Sequence, residues 1–568
     1  QPCIQRDYGY GSTVCVCNLT HCDDFDALKI TAKGVVTVFE TSKSGDRLEK
    51  TEFKFGDNSG FKANKAQTIT IDKSKGVYQK IVGFGGAFTD SAGLNMKTLP
   101  EKLQNRIISD YFSKSGIEYN LGRIPKEKTE FKFGDNSGFK ANKAQTITID
   151  KSKGVYQKIV GFGGAFTDAA GLNIKTLPEK LQNRIISDYF SKSGIEYNLG
   201  RIPIGGSDFS THAYSYDDNN KDDFDLKHFS LAEEDLDYKI PIIKKAKQIN
   251  SDLRVFGSPW SPPAWMKNNS ELNHGGYLIG EPGGKYYKAF ANYIVKFLDS
   301  YKASGVPVWG ITIENEPYAA SLLPNFPWNS LSFTPELERD FIKKDLGPTL
   351  EAAGYGVNTT QLMICDDQRE WVPTWANTIY TDKDAAKYVS GLAFHWYINT
   401  DKNVLNLDVV HNTDPSKFIL STEACEDYRG KEQHVFLGSW QTFERYAKDI
   451  IVDLNHWTSG WVDWNMALDT EGGPNWAKNF VDAPVIVNAT SQEYYKNPIF
   501  YAMGHYSKFL TPGSQRVFQT QEPSVDTLLS TTFVRPDGGT VFFAQLGPPS
   551  VSNAIFQSTQ PDVQCFKS

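Results

Sequence analysis

Methionine and histidine are scarce in this chain, with 5 and 9 copies among 568 residues. No stretch approaches the roughly 18 consecutive apolar residues of a membrane-spanning helix. No block of lysine and arginine stands out, and 60 basic against 67 acidic residues leave a net charge of −7. Nucleic acid is therefore not an expected partner. No H-E-x-x-H helix, P-loop or dinucleotide fingerprint follows a suitable strand, so neither a metal nor another cofactor is expected. The Gly161-Phe-Gly-Gly164 run lacks G-x-G-x-x-G spacing and reads as a tight turn. With 40% hydrophobic and 22% charged residues, the composition is that of a globular chain.

Cysteine is also sparse, but unevenly placed. Four of the seven lie in the first 22 residues: Cys3, Cys15, Cys17 and Cys22. The C-x-C-x4-C run lacks the paired C-x2-C spacing of structural zinc sites. Two short-range disulfides are expected instead, with three connectivities open, and they point to an oxidising compartment. N-x-S/T sequons at Asn18, Asn268, Asn358 and Asn488 agree with that reading. The chain starts at Gln1 without a signal-peptide pattern and reads as a processed secretory or lysosomal form.

A near-perfect duplication interrupts the chain. Residues 49–125 and 127–203 align with an offset of 78, differing only at Ser91 against Ala169 and Met96 against Ile174. Repeat architectures drift and contain more copies, so this pair reads as a recent duplication or an assembly error. A closed barrel has room for one first and one second strand. The copy continuous with Ile204–Ser210 is assigned to it, and residues 79–156 are expected to be displaced.

From Gln157 onward, strand-like runs alternate with helical patterns. The runs are Gln157–Phe162, Tyr197–Ile202, Leu253–Ser258, Val308–Ile313, Leu362–Cys365, Leu392–Trp396, Phe418–Thr422 and Trp461–Trp464. Helices are expected at Tyr286–Ala303, Pro335–Ala352 and Trp440–His456. Eight such units predict an α/β fold, a (β/α)8 TIM barrel spanning 157–499. Short β-rich runs at both ends predict a β-sandwich domain built from residues 1–80 and 500–568.

Two carboxylates stand at the ends of apolar strands: Glu316 in Ile311-Thr-Ile-Glu-Asn-Glu-Pro317 and Glu423 in Phe418-Ile-Leu-Ser-Thr-Glu-Ala424. These would be the fourth and seventh barrel strands, whose C-terminal ends converge on one mouth. Paired carboxylates flanking a glycosidic bond are what its hydrolysis needs. Asp208, Phe209, Trp260, His395, Tyr397 and Trp464 also fall at strand ends. Polar edges suit sugar hydroxyls, and aromatic faces suit the C–H surface of a sugar ring.

Several motifs carry a family resemblance. They are Gly161-Phe-Gly-Gly-Ala-Phe-Thr-Asp168, Ser258-Pro-Trp260, Glu314-Asn-Glu-Pro317, Phe394-His-Trp-Tyr397, Ser421-Thr-Glu-Ala-Cys425, Trp461-Val-Asp-Trp464 and Glu471-Gly-Gly-Pro-Asn-Trp476. Together the sequence resembles glycoside hydrolase family 30, from Cys3 to about Gln545 apart from one copy of the duplication. The resemblance implies a retaining β-glucosidase acting on glucosylceramide, with Glu316 as acid/base and Glu423 as nucleophile. It implies that Asp208, Trp260, Asn315, Trp464 and Asn479 contact glucose. Phe209 is placed beside them, Tyr397 in the active site, Arg201 in support of the nucleophile, and His395 as a further support. It also implies Cys3–Cys15 and Cys17–Cys22 bridges, a saposin-type activator protein, an anionic lipid membrane surface as partner, and a lysosomal location, with secretion as the alternative. The competing readings are a related glycosidase of other sugar specificity, an inactive sugar- or lipid-binding paralogue, and a gene-model error. After Gln545 the tail departs from the family pattern, and an incomplete β domain is expected.

Overall fold

The computed structural model describes residues 4–17, 35–47, 49–54, 146–149, 153–323, 325–427, 433–522, 528–546 and 563–567. Eight parallel strands form a closed barrel. In chain order they are β1 (Gly161–Ala165), β2 (Leu199–Ile204), β3 (Arg254–Pro259), β4 (Gly310–Thr312), β5 (Gln361–Gln368), β6 (Gly391–His395), β7 (Phe418–Glu423) and β8 (Thr458–Asn465). β8 seals the ring by pairing Gly460 with Gly161 and Trp461 with Phe162. The strands are almost wholly buried, as parallel strands covered on both faces must be. Leu199, Phe256, Met363, Ala393, Leu420 and Val462 meet in one apolar cluster and fill the lumen. The barrel is thus a packed support and not a pore.

Helices cover the outside. The longest of those between β3 and β4 is Lys285–Ala303, which buries Tyr287, Phe290, Ile294, Phe297 and Tyr301 along one stripe. That spacing of three and four residues is the reason it is helical, and each such side chain contributes about 1.5–3 kcal/mol on full burial. Gly305 follows with φ +83°, ending the helix in the left-handed region that glycine adopts without penalty. The expected helix over Pro335–Ala352 is broken in the middle. Wider π turns occupy Ile342–Leu346 between helices Pro335–Phe341 and Gly347–Ala352. Gly347 there lies so close to Tyr388 that a Cβ would sit 2.3 Å from its ring.

The structure corrects the expectations for β1. Residues Val155–Lys158 form a separate strand paired with Gln515–Val517, so the barrel strand starts later than Gln157. The Gly161-Phe-Gly-Gly164 run is that strand and not a tight turn. Its glycines are needed because β1 and β2 approach closely. A Cβ on Gly163 would lie 1.9 Å from the carbonyl oxygen of Leu199.

The domain boundaries also differ from expectation. The chain divides into two units, one of residues 1–26, 160–443 and 453–507, the other of 27–159, 444–452 and 508–568. Residues 1–80 therefore do not act as one piece. Gln5–Asp7 and Thr13–Cys17 belong to the barrel's unit, in a five-stranded sheet with Glu493–Lys496, Val485–Asn488 and Ala467–Asp469. The cause is burial: Val14 and Val16 pack with Leu468, Ile486 and Tyr495. The expected boundary at 499/500 falls inside a buried helix, Pro498–Ser507, of the same unit. Cys15 takes part in a disulfide. Cys3 and Cys22 lie outside the described residues, as does the side chain of Cys17, and so therefore do the two expected pairings.

The second unit holds a seven-stranded sheet with the order Glu49–Lys54, Val35–Glu40, Val563–Lys567, Thr540–Leu546, Leu528–Val534, Gln515–Val517, Val155–Lys158. A two-stranded ribbon pairs Thr146–Ile149 with Gln519–Glu522. The end of the expected displaced segment, 79–156, is thus paired in sheets, because it leads directly into β1; residues 79–145 lie outside the described residues. Within the tail, Val563–Lys567 runs parallel to Thr540–Ala544.

The β1–β2 contact generates a stability prediction. Gly163→Ala forces the two backbones apart and lowers the unfolding free energy by about 3 kcal/mol or more, the upper end of overpacking costs. Urea unfolding followed by tryptophan fluorescence measures this. A midpoint equal to that of the unsubstituted chain would refute the close-approach account.

Candidate active site

The C-terminal ends of β2 to β8 carry the polar residues, as the barrel geometry requires. Arg201 on β2 is fully buried and reaches across the mouth. Its Nη1 donates to Glu423 at the end of β7, and its Nη2 donates to Asn315 Oδ1 at 2.8 Å and to Asp366 Oδ2 at 2.7 Å. Its Nε donates to Ser258 Oγ at 3.1 Å. The Tyr397 hydroxyl donates to the other Glu423 oxygen at 2.6 Å. The Glu423 carboxylate is therefore gripped on both oxygens.

Glu316 follows β4 and has left-handed backbone, φ +48° and ψ +48°, at the start of helix Pro317–Leu322. A non-glycine residue pays about 1–2 kcal/mol for that conformation. The turn is held because the Glu316 N–H donates to the Asp366 carbonyl at 2.9 Å. Gln368 Nε2 donates to Glu316 Oε1 at 2.7 Å, and His395 Nδ1 lies 3.2 Å from the same oxygen. Carboxyl oxygens of Glu316 and Glu423 and a nitrogen of His395 all lie within 4.8 Å of one another. The Glu314-Asn-Glu316 pattern offers two acids, and burial separates them. Glu314 is wholly enclosed with both oxygens unpartnered. Its carboxyl is pushed well above the ordinary range by burial, which the nearby Lys267 only partly offsets.

Asp366 joins the two halves. Its Oδ2 accepts from Arg201 and from Thr312 Oγ1 at 2.7 Å; its Oδ1 accepts from Thr422 Oγ1 at 2.6 Å and lies 3.1 Å from His395 Nε2. Burial alone would raise this carboxyl, but the Arg201 charge and the His395 hydrogen bond outweigh it and hold it below the ordinary range. His395 is the converse. Burial disfavours its charge, yet Glu423, Asp366 and Glu316 push it up to about 10. The imidazole therefore favours its cationic form, and both of its nitrogens lie within hydrogen-bond distance of carboxyl oxygens.

A second group of residues lines the other side. Asp208 Oδ2 accepts from Asn475 Nδ2 at 3.0 Å and Asn479 Nδ2 at 2.9 Å. Burial pushes its carboxyl up to about 7 despite those two bonds, with the charges of Glu423 and Glu316 adding to the rise. Trp260 and Trp464 stack with centroids 5.2 Å apart, and Phe209 meets Trp464 edge-on at 6.0 Å. The Arg201 guanidinium lies 4.9 Å from the Trp260 ring centroid and 5.4 Å from that of Trp464. All eleven non-cysteine residues expected from the sequence are thus linked in or beside one network.

The sequence reading missed Asp366, Asp367, Gln368 and Asn475. A bulge in β5 explains the first three. Cys365 and Asp366 both have positive φ, 74° and 54°, and the register with β6 shifts there. The bulge turns three consecutive polar side chains toward the mouth. Asp367 accepts the N–H groups of Tyr318 at 2.8 Å and Ala319 at 3.0 Å, at the start of the helix that Glu316 caps. The available signal was the polar run Asp366-Asp-Gln368 directly after an apolar strand.

A closed barrel of parallel strands with two facing carboxylates at its mouth is an arrangement suited to glycoside hydrolysis. The family model described as the glycosyl hydrolase family 30 TIM-barrel domain matches residues 81–138 and 159–510, and the chain belongs to that family. It is 38% identical over 557 residues to putative glucosylceramidase 3 of Caenorhabditis elegans, covering 97% of this chain and 90% of that one. It is 37% identical over 543 residues to lysosomal acid glucosylceramidase of Mus musculus, covering 95% and 88%. Among solved structures, SrfJ from Salmonella typhimurium is similar, with a TM-score of 0.63 and 29% identity over 72% of this chain and 87% of that one.

Two predictions follow from the network. Asp366→Ala strands the Arg201 and His395 charges in the interior and lowers stability by about 3–5 kcal/mol, the usual cost of breaking a buried pair; denaturant unfolding measures it, and a change below 1 kcal/mol would contradict the account. The second concerns pH. His395 binds its proton more tightly when folded, so its stabilisation is full below about 6.5 and drains away as pH climbs toward 10. Asp366 is depressed, so its stabilisation is full above its ordinary value of 3.8 and is lost at lower pH. Thermal melting against pH is expected to peak between these limits, and His395→Gln is expected to flatten the alkaline limb. An unchanged alkaline limb would refute the assignment.

Proposed function

We propose that the chain is a retaining β-glucosidase that hydrolyses glucosylceramide to glucose and ceramide. The observation that carries the reading is the approach of the Glu316 and Glu423 carboxyl oxygens to within 4.8 Å. Retaining glycosidases hold their carboxyl groups about 5–5.5 Å apart, whereas inverting ones leave about 6.5–9.5 Å for a water molecule. The names of the nematode and mouse relatives supply the substrate.

In the first step a Glu423 oxygen attacks the anomeric carbon as the bond to the ceramide oxygen breaks. Protonated Glu316 gives its proton to that oxygen, and ceramide leaves as the alcohol. In the second step Glu316, now a carboxylate, takes a proton from water. The resulting hydroxide displaces Glu423 from the anomeric carbon, giving glucose with the β configuration retained. Arg201 and Tyr397 aim the nucleophile, and Gln368 and His395 aim the acid/base. Asp208, braced by Asn475 and Asn479, takes sugar hydroxyls; Asn315, Trp260, Trp464 and Phe209 complete the glucose site.

The partners follow from the same reading: glucosylceramide in an anionic lipid surface, delivered with a saposin-type activator in the lysosome, or in the secreted medium as the alternative. The mouse relative is lysosomal by name, and a network most stabilising at mildly acid pH suits that compartment. Among the described residues no helix is long and apolar enough to cross a membrane.

Proton NMR of the first-formed anomer tests the mechanism with glucosylceramide in mixed micelles. β-Glucose is expected first, with Glu316→Gln slowing turnover by about 10²–10⁴-fold, the usual worth of a general acid. First release of α-glucose would reject the mechanism. Turnover of an aryl xyloside but not of the glucolipid would reject the substrate.

A further inference from the structure

Apart from the catalytic mouth, the described residues contain one other group of side chains with metal-binding geometry, on the loop between β2 and β3. One ligand atom each from Asp217, Asp223 and His228 lie within 4.8 Å of one another. His228 Nδ1 is 2.8 Å from Asp223 Oδ2. A surface ion pair alone would account for that contact. The observation that points further is Asp217, which is only 1% exposed. Its Oδ1 accepts from Asn220 Nδ2 at 3.0 Å, whereas its Oδ2 is buried without any hydrogen-bond partner. An unpartnered buried polar atom costs about 1–3 kcal/mol, and more when charged. A second carboxylate, Asp223, stands close enough to add to the cost. Burial and the Asp223 charge push Asp217 up to about 6, with Asn220, His228 and the Trp265 indole pulling the other way.

We propose that Asp217, Asp223 and His228 form a binding site for a divalent cation of the zinc type. One imidazole nitrogen with two carboxylate oxygens is a zinc donor set, whereas magnesium and calcium select oxygen ligands alone. The cation would give the buried Asp217 carboxyl a further partner and neutralise the paired carboxylates. The His228 side chain is 65% exposed, which leaves an entry path and room for water as a fourth ligand. The site would also act as a clamp. The Trp265 indole N–H donates to the Asp217 carbonyl at 3.1 Å, linking this loop to the segment that follows β3 and Trp260. None of the three residues belongs to the hydrolytic machinery, so the site is independent of the reaction proposed above.

Isothermal titration of the full chain, stripped with chelator, with zinc chloride at pH 7 tests the proposal. One equivalent is expected to bind with a rise in melting temperature, and magnesium chloride is expected to give neither. His228→Ala, an exposed position that tolerates truncation, is expected to weaken zinc binding at least tenfold and abolish the melting shift. Asp217→Asn is expected to do the same. Absence of zinc binding by the unsubstituted chain, or binding by His228→Ala at full affinity, would overturn the proposal.

Discussion

The buried carboxylate of Asp366 is the constraint on which the active site depends. Two oxygens meet four donors, from Arg201, Thr312, Thr422 and His395. Burial alone would favour the protonated acid in that position, and the Arg201 charge, His395 and the Thr422 hydroxyl together outweigh it. In return it fixes one cation on each side. Arg201 carries the constraint to Glu423 and His395 carries it to Glu316. Arg201 and His395 thus stand among the carboxyl groups of Asp366, Glu423 and Glu316, so that opposite charges offset one another at the mouth. Such a balance lets charged groups stay buried while remaining aimed at a shared point.

The backbone accepts strain to build this arrangement. Glu316, Cys365 and Asp366 all have positive φ, each at a cost of about 1–3 kcal/mol. The packed lumen and the outer helices hold the strands firmly enough to sustain it. The same rigidity explains the glycines of β1. They bring neighbouring backbones closer than side chains would permit, and the barrel closes around the site at that point.

Much of this was legible in the sequence, and the failures have physical causes. Seven of the eight barrel strands, β2 to β8, overlap the expected runs, because a strand buried on both faces is largely apolar. Glu316 and Glu423 stand out because each is a charge at the end of such a run. Asp366 and Gln368 were hidden by a bulge, which breaks the alternation that a strand pattern relies on. β1 was misread because its three glycines serve a close approach that periodicity cannot detect. The two chain ends were assigned to one domain, since short β-rich runs do not reveal which partner they pair with. Thr13–Cys17 pairs with Glu493–Lys496, nearly the whole length of the chain away.

The central claim is that Glu423 is the side chain that bonds to the sugar. Incubation with a 2-deoxy-2-fluoro-β-glucoside bearing a good leaving group, followed by proteolysis and peptide mass analysis, tests it most directly. The account predicts one fluoroglucosyl group per chain, on Glu423 in the peptide containing Phe418-Ile-Leu-Ser-Thr-Glu423. A label on any other residue, or steady turnover with no covalent adduct, would contradict it.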